Sequence, residues 1–242
     1  MGSCTAAGDC GTERDRGVTL YQQGNAKGAV DALRTAVKRD KTDTSAWHYL
    51  GLALEQENDK GSAKKAHEET AKLGESLLNQ QLDQSTNSKE IPRSLLAIRS
   101  QLIQAAESAE RYVALSSKLS SSKREKWSVR ISSLRGFADL ANDQTLKLYS
   151  GKEVTTKVRV LSKPEPTYTE EARKEQITGT VVLRCIFGAN SKVFGFRAVS
   201  TLPEGLTEQA IRSARRIKFI PATKDGQPVS MWMELQYNFN LY

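Results

Sequence analysis

From Val229 onward the chain alternates. Val229, Met231, Met233, Leu235, Tyr237, Phe239 and Leu241 hold the odd positions, and Ser230, Trp232, Glu234, Gln236, Asn238 and Asn240 the even ones. A period of two over a dozen residues predicts a strand with one apolar and one mainly polar face. Asp225-Gly226, just before it, is a two-residue hairpin signal, since both residues accept positive φ. Pro221 and Pro228 flank that turn, and proline is excluded from central pairing positions. The turn thus sets the register, and a one-residue slip would bury Glu234 and Gln236. Upstream, residues 179–187 (GTVVLRCIF) and 193–200 read as two strands joined by the hairpin loop 188–192. Residues 167–175 read as a short helix with a threonine cap and early acids. Leu206, Ala210, Ile211, Ala214 and Ile217 make one helical face. Val154, Val158, Val160 and Leu161 mark residues 149–162 as a linker with a first strand. The expected order is β-α-β-β-α-β: a small α+β domain over residues 163–242, its antiparallel sheet covered on one face by two helices.

The first 148 residues keep the helical period instead. Trp47, Leu50 and Leu54 form one stripe; Leu95, Leu96, Ile98, Leu102, Ile103, Ala106 and Tyr112 form another; Trp127, Ile131, Leu134, Phe137 and Leu140 form a third. Pro92 suits the first turn of a helix, residues 116–122 are a serine-rich break, and Ser122 to Glu125 reads as a capping box. Shifted by 34 residues, Gly17 falls on Gly51, Leu20 on Leu54, Ala29 on Ala63 and Ala32 on Ala66. Small residues at 17, 29, 51 and 63 let antiparallel helices approach, with turns at Gly24-Asn25 and Asn58-Asp59. With Trp47, Leu50-Gly51, Leu54 and Ala63, residues 13–74 resemble tetratricopeptide repeats, although Lys41 and its neighbours stand where such a repeat often closes with proline. The resemblance implies all-helical repeat hairpins whose concave groove holds a protein partner, with Trp47, His48 and Tyr49 as groove residues. Residues 75–148 extend the helical hairpins, and the Gly-rich residues 1–12 read as a disordered N-terminus.

Composition changes this picture little. With 242 residues, 38% hydrophobic and 26% charged, the chain has room for one or two cored domains. Charge adds more: of the net +8, residues 151–242 hold 14 basic against 9 acidic side chains. A basic end favours anionic partners. The densest cluster is Arg212, Arg215, Arg216 and Lys218, the candidate site for an anionic partner; a solvated helix face is the plainer reading. An anionic-polymer or nucleic-acid binder is the alternative function, though no aromatics interleave with the cluster as a stacking platform requires. Three cysteines cannot close a disulfide framework. Cys185 lies in an apolar strand and reads as core; Cys4 and Cys10 lie in the polar N-terminus. No apolar run approaches the roughly 18 residues of a membrane span, and the first twenty residues lack a signal-peptide core. The expected location is the cytoplasm if this N-terminus is native, and the envelope if a leader has been removed.

Catalytic patterns are not visible. His48 and His67 are the only histidines, each in a repeat helix, and they read as surface or groove residues. There is no clustered Cys or His for zinc, no phosphate loop and no nucleophile elbow. The expectation is a non-enzyme with no cofactor, metal or small-molecule substrate.

A family resemblance sharpens the C-terminal third. Pro166-Thr-Tyr168 with Glu-Glu-Ala-Arg, then Gly179-Thr-Val-Val-Leu, Val199-Ser200 and Leu206-Thr-Glu-Gln-Ala210 occur in order, followed by Phe219-x-Pro-Ala222, Asp225-Gly-x-Pro-Val229 and Phe239. On these motifs residues 163–242 resemble the C-terminal domain of the TonB energy-transducer family, with Thr169 where the family often has proline. The resemblance implies a periplasmic domain that pairs with an extended segment of an outer-membrane transporter, or of another envelope protein, by strand addition. The matching strand runs from Met231 to Asn240, with Met231, Trp232, Glu234, Gln236 and Asn238 as contact residues. A second copy of the chain is another occupant for the same edge. The family's transducers carry a membrane helix and a long proline-rich spacer; with six prolines in all, this chain reads as an adaptor, its repeats holding a second protein.

Overall fold

A computed structural model describes residues 9–84, 91–142 and 147–241. The chain forms two compact units, residues 1–79 with 100–119, and residues 80–99 with 120–242. Cys4 lies outside the described residues.

The first unit is helical. Helices α1 (Asp9–Gln22), α2 (Ala26–Arg39), α3 (Thr44–Gln56) and the start of α4 (Lys60–Gln84) pack with α6 (Arg99–Leu115). Helix α1 begins inside the stretch read as disordered. The turn from α1 to α2 and the turn from α3 to α4 are built alike. The Gly24 and Asn58 amides bond the Tyr21 and Glu55 carbonyls, and the next amides, Asn25 and Asp59, bond the Leu20 and Leu54 carbonyls at 2.9 Å. Residues 24 and 58 both have positive φ, as a left-handed helix stop requires. Asn25 and Asp59 then cap the following helices through the Gly28 and Ser62 amides, both at 3.0 Å. Every one of these partners recurs at a shift of 34. So does the close approach: a Cβ on Gly17 would lie 2.5 Å from Leu33, and one on Gly51 2.5 Å from the His67 ring. The core between the helices is correspondingly alanine-rich, with Leu33, Leu50 and Leu54 as its large members.

The second unit carries α5 (Ile91–Leu96) and α7 (Ser121–Asn142), then β1 (Leu148–Tyr149), β2 (Arg159–Ser162), α8 (Glu170–Lys174), β3 (Gly179–Phe187), β4 (Val193–Ser200) and α9 (Leu206–Ala214). The chain ends with β5 (Lys218–Ile220), β6 (Ala222–Lys224) and β7 (Gln227–Phe239). The main sheet runs β1-β7-β3-β4, with β6 also on β7; β2 and β5 form a separate two-stranded ribbon. One face buries Leu183, Cys185, Phe187, Leu235, Tyr237 and Phe239 against Ala172 of α8 and Leu206, Ala210 and Ile211 of α9.

Several expectations change. The sheet is not antiparallel throughout, because β1 runs parallel to β7, and the strand expected near 149–162 pairs outside the main sheet. Helices do not lie on one face alone: Phe137 of α7 stacks on Trp232 at 6.1 Å, and Ser133 Oγ donates to the Phe196 carbonyl at 2.9 Å. Residues Ile186 and Trp232 are directly opposed on this second face, and their apolar side chains are what draws α7 there. The stretch 75–148, read as continuing the repeats, is divided between the units, α5 and α7 going with the sheet. Finally, α7 begins at Ser121 and is capped by Ser120, whose Oγ accepts the Lys123 amide at 3.3 Å, rather than by Ser122.

Candidate interaction site on the last strand

The turn that launches β7 is the one its sequence calls for. Asp225 (φ 52°) and Gly226 (φ 79°) join β6 to β7, with Lys224 opposite Gln227 and Thr223 opposite Pro228. In a two-residue hairpin the closing pair is hydrogen-bonded and the next is not, so Pro228 falls where no amide hydrogen is needed. The register then runs unbroken: Met231 to Phe239 face Phe187 to Gly179 in nine successive pairs. Met233 is half-buried and Leu235, Tyr237 and Phe239 are buried, while Glu234, Gln236 and Asn238 are exposed; Leu241, past the end of the strand, is exposed as well.

The two flanks of β7 differ. Met231 is paired with Phe187 on one side and with Tyr149 on the other, so β3 and β1 lie on opposite flanks. Strand β1 ends there. Among the described residues, no strand lies beside Trp232–Phe239 on the flank away from β3. One side chain does: Lys163 Nζ donates to the Gln236 carbonyl at 2.7 Å and lies 4.4 Å from the Tyr237 ring centre. That carbonyl therefore faces the open flank, and by strand alternation the main-chain groups of Glu234 and Asn238 share its direction.

The expected contact residues separate accordingly. Met231 is buried and paired on both flanks, so it is not open to a partner. Trp232 is half-buried under Phe137, with its Nε1 buried and without a hydrogen-bond partner among the described residues. Glu234, Gln236 and Asn238 remain exposed; Asn238 Oδ1 accepts the Thr180 hydroxyl at 2.9 Å, and Gln236 Nε2 reaches Glu234 at 3.4 Å.

The basic cluster is not one free patch. Arg212 is bound to Glu125 of α7 at 2.5 Å, Arg215 lies over the Phe196 ring at 5.6 Å, and Arg216 reaches Ser213 Oγ at 3.4 Å. Lys218 stands apart on β5, opposite Ser162.

The groove residues of the first unit also separate. Trp47 donates Nε1 to the Lys41 carbonyl at 3.0 Å, and Tyr49 meets Tyr21 edge-on at 5.7 Å; both are half-buried. His48 is 5% exposed and His67 0%, so neither is the surface or groove residue expected. They belong to a buried polar cluster linking α3, α4 and α6. Ser108 Oγ lies 3.0 Å from His48 Nδ1 and 3.2 Å from His67 Nδ1, and His67 Nε2 lies 2.7 Å from Glu55, which Arg111 holds at 3.1 Å. The bonding pattern assigns the protons. Glu55 only accepts, so His67 carries its hydrogen on Nε2 and its Nδ1 accepts from Ser108; Ser108 then accepts from His48 Nδ1–H. Burial pushes both imidazoles down, His48 to about 4, and for His67 burial outweighs the upward pull of Glu55. Both rings are neutral near pH 7, and the contact with Glu55 is a hydrogen bond of a neutral ring. With Ser108 and His67 wholly enclosed, this triad-like chain offers nothing to a substrate and serves packing. Its signal in the sequence was positional: His67 falls where Leu33 stands 34 residues earlier. Lys163 had no such signal.

Residues 164–241, about a third of the chain, match the family model described as the Gram-negative bacterial TonB protein C-terminal. No curated protein matches the chain.

Proposed function

We propose that this chain is a non-enzymatic interaction protein of the cell envelope, whose C-terminal domain takes up an extended segment of a partner along the open flank of β7. The observation that carries this reading is the asymmetry of that strand: nine pairs on one flank, and on the other no strand beyond Met231 among the described residues. A segment laid beside Trp232–Phe239 would bond the outward main-chain groups at Glu234, Gln236 and Asn238, and the exposed side chains there would select among segments. The family match supports an outer-membrane transporter or another envelope protein as that partner, since TonB-family proteins are envelope-associated. The 34-residue recurrence of turns, caps and close approaches supports a tetratricopeptide-like scaffold for a second protein, with Trp47 and Tyr49 as the groove residues that keep exposed surface. Among the described residues no helix is long and apolar enough to cross a membrane.

The test uses main-chain chemistry. The Gln236 amide shares the outward direction of its carbonyl, so Gln236→Pro deletes a donor on the open flank while sparing the β3 ladder. Cross-linking from Asn238 in a Gram-negative envelope extract should recover a transporter or other envelope protein. That product should vanish in Gln236→Pro and persist in Gln236→Ala, which keeps the amide. Equal recovery from both variants refutes strand addition.

A further inference from the structure

The β2–β5 ribbon plays no part in that reading. Residues 154–164 and 209–224 contain no Asp or Glu, against Lys157, Arg159 and Lys163 in the first stretch and Arg212, Arg215, Arg216, Lys218 and Lys224 in the second. The register orients the pair. Val160 opposes Phe219, whose ring is buried against Phe187 at 4.7 Å, so these two share the face toward the core, where Phe219 is covered and Val160, at the rim, stays 41% exposed. Arg159 opposite Ile220 and Ser162 opposite Lys218 therefore share the outward face, and Lys157 falls there by alternation. Leu161 sits at the register shift between Val160 and Ser162 and is 59% exposed; Ile220 is 42% exposed. Lys157, Arg159 and Lys218 have no ion-pair or side-chain hydrogen-bond partner among the described residues.

Two features of this face need one explanation: unpaired cations, and bare aliphatic side chains among them. A soluble polyanion would use the charges and gain nothing from Leu161 or Ile220. A bilayer interface uses both, placing cations among headgroup phosphates and aliphatic side chains at the acyl boundary. We propose that the outward face of the β2–β5 ribbon docks on a membrane surface bearing anionic phospholipid. Lys157, Arg159 and Lys218 meet the headgroups, and Leu161 and Ile220 enter the interface. Each cation near such a surface contributes roughly fivefold in partitioning, so three contribute about a hundredfold, and salt screens the effect. The docking does not depend on what occupies β7.

The experiment is co-sedimentation of the full chain with vesicles of phosphatidylcholine, alone or mixed with phosphatidylglycerol. Binding should require the anionic lipid and weaken with salt. Arg159→Glu with Lys218→Glu should lower it by more than about tenfold, and Leu161→Ser should lower it several-fold with no change of charge. Lys157→Glu, outside the ribbon's ladder, repeats the charge test if the double variant fails to fold. Equal binding to neutral vesicles, or no response to the charge variants, overturns the proposal. So does binding to heparin or single-stranded DNA as tight as to anionic vesicles and indifferent to Leu161→Ser, which assigns the face to a soluble polyanion.

Discussion

Acidifying the protein from about pH 7.5 to about pH 5 sets its buried histidines against their packing. His48 is 5% exposed, and burial, reinforced by His67 and Arg111, lowers its pKa from 6.5 to about 4. Facing it are Ser108, the Gln104 carbonyl, Glu107 at 3.8 Å and the edge of Tyr49; neither the carbonyl nor the distant carboxylate offsets the burial. The native state keeps this ring neutral, while the unfolded chain takes a proton below about pH 6.5. The unfolded state thus binds more protons, and stability must rise with pH through this window. The contribution is complete above the unfolded pKa and is lost as pH falls toward about 4. The full span is worth about 3.4 kcal/mol, of which about 2 kcal/mol is gone by pH 5. His67 is shifted the same way and adds to the effect. Urea titrations followed by tryptophan fluorescence, run on the native chain and on His48→Gln at several pH values, isolate the term. Carboxylates titrate alike in both proteins, so the native protein's advantage should shrink by about 2 kcal/mol between about pH 7.5 and 5. A constant difference across that range would refute the neutral, buried assignment.

Two further outcomes follow from the C-terminal unit. Gly195 sits at a register shift of β4 with φ 61°, and a Cβ there would meet Ile186 at 2.9 Å and Phe137 at 3.5 Å, so Gly195→Ala should cost about 1–3 kcal/mol in thermal unfolding. An unchanged Tm would mean that this bulge relaxes freely. Lys163 covers the Gln236 carbonyl that an added strand needs, so Lys163→Ala should tighten capture of an extended peptide roughly two- to fivefold, read by fluorescence anisotropy. Weaker capture would make Lys163 a contact for the partner instead of a competitor.

The sequence makes the hairpin at Asp225-Gly226 and the covered odd positions of β7 legible because both are local: turn chemistry and a period of two. The 34-residue recurrence is legible for the same reason, each turn and cap being set within a few residues. What it does not disclose is long-range. The apolar even positions Ile186 and Trp232 break the polar face, but nothing local says that Phe137, 95 residues before Trp232, covers them. Reading the tail as one clean alternation therefore left Trp232 outward and Met231 free, where β1 in fact closes the flank. The histidines misled for a related reason. A lone His is usually exposed or intermediate, and only Ser108, 60 residues beyond His48, makes its burial tolerable. The basic cluster looked unified because its residues are close in sequence, yet a helix sends Arg212 to Glu125 and Arg215 to Phe196.

Cys185 lies opposite Met233 beneath the sheet, is 0% exposed, and has its thiol pushed up to about 12 by burial. At about pH 8 only about one molecule in ten thousand would present a thiolate, and that one is sealed. In a chain with Cys4 and Cys10 replaced by serine, alkylation at this sulfur becomes a clock for the parting of β3 from β7. An occupant seated along the outer rim of β7 should slow that clock, so its arrival can be timed without any label on the occupant.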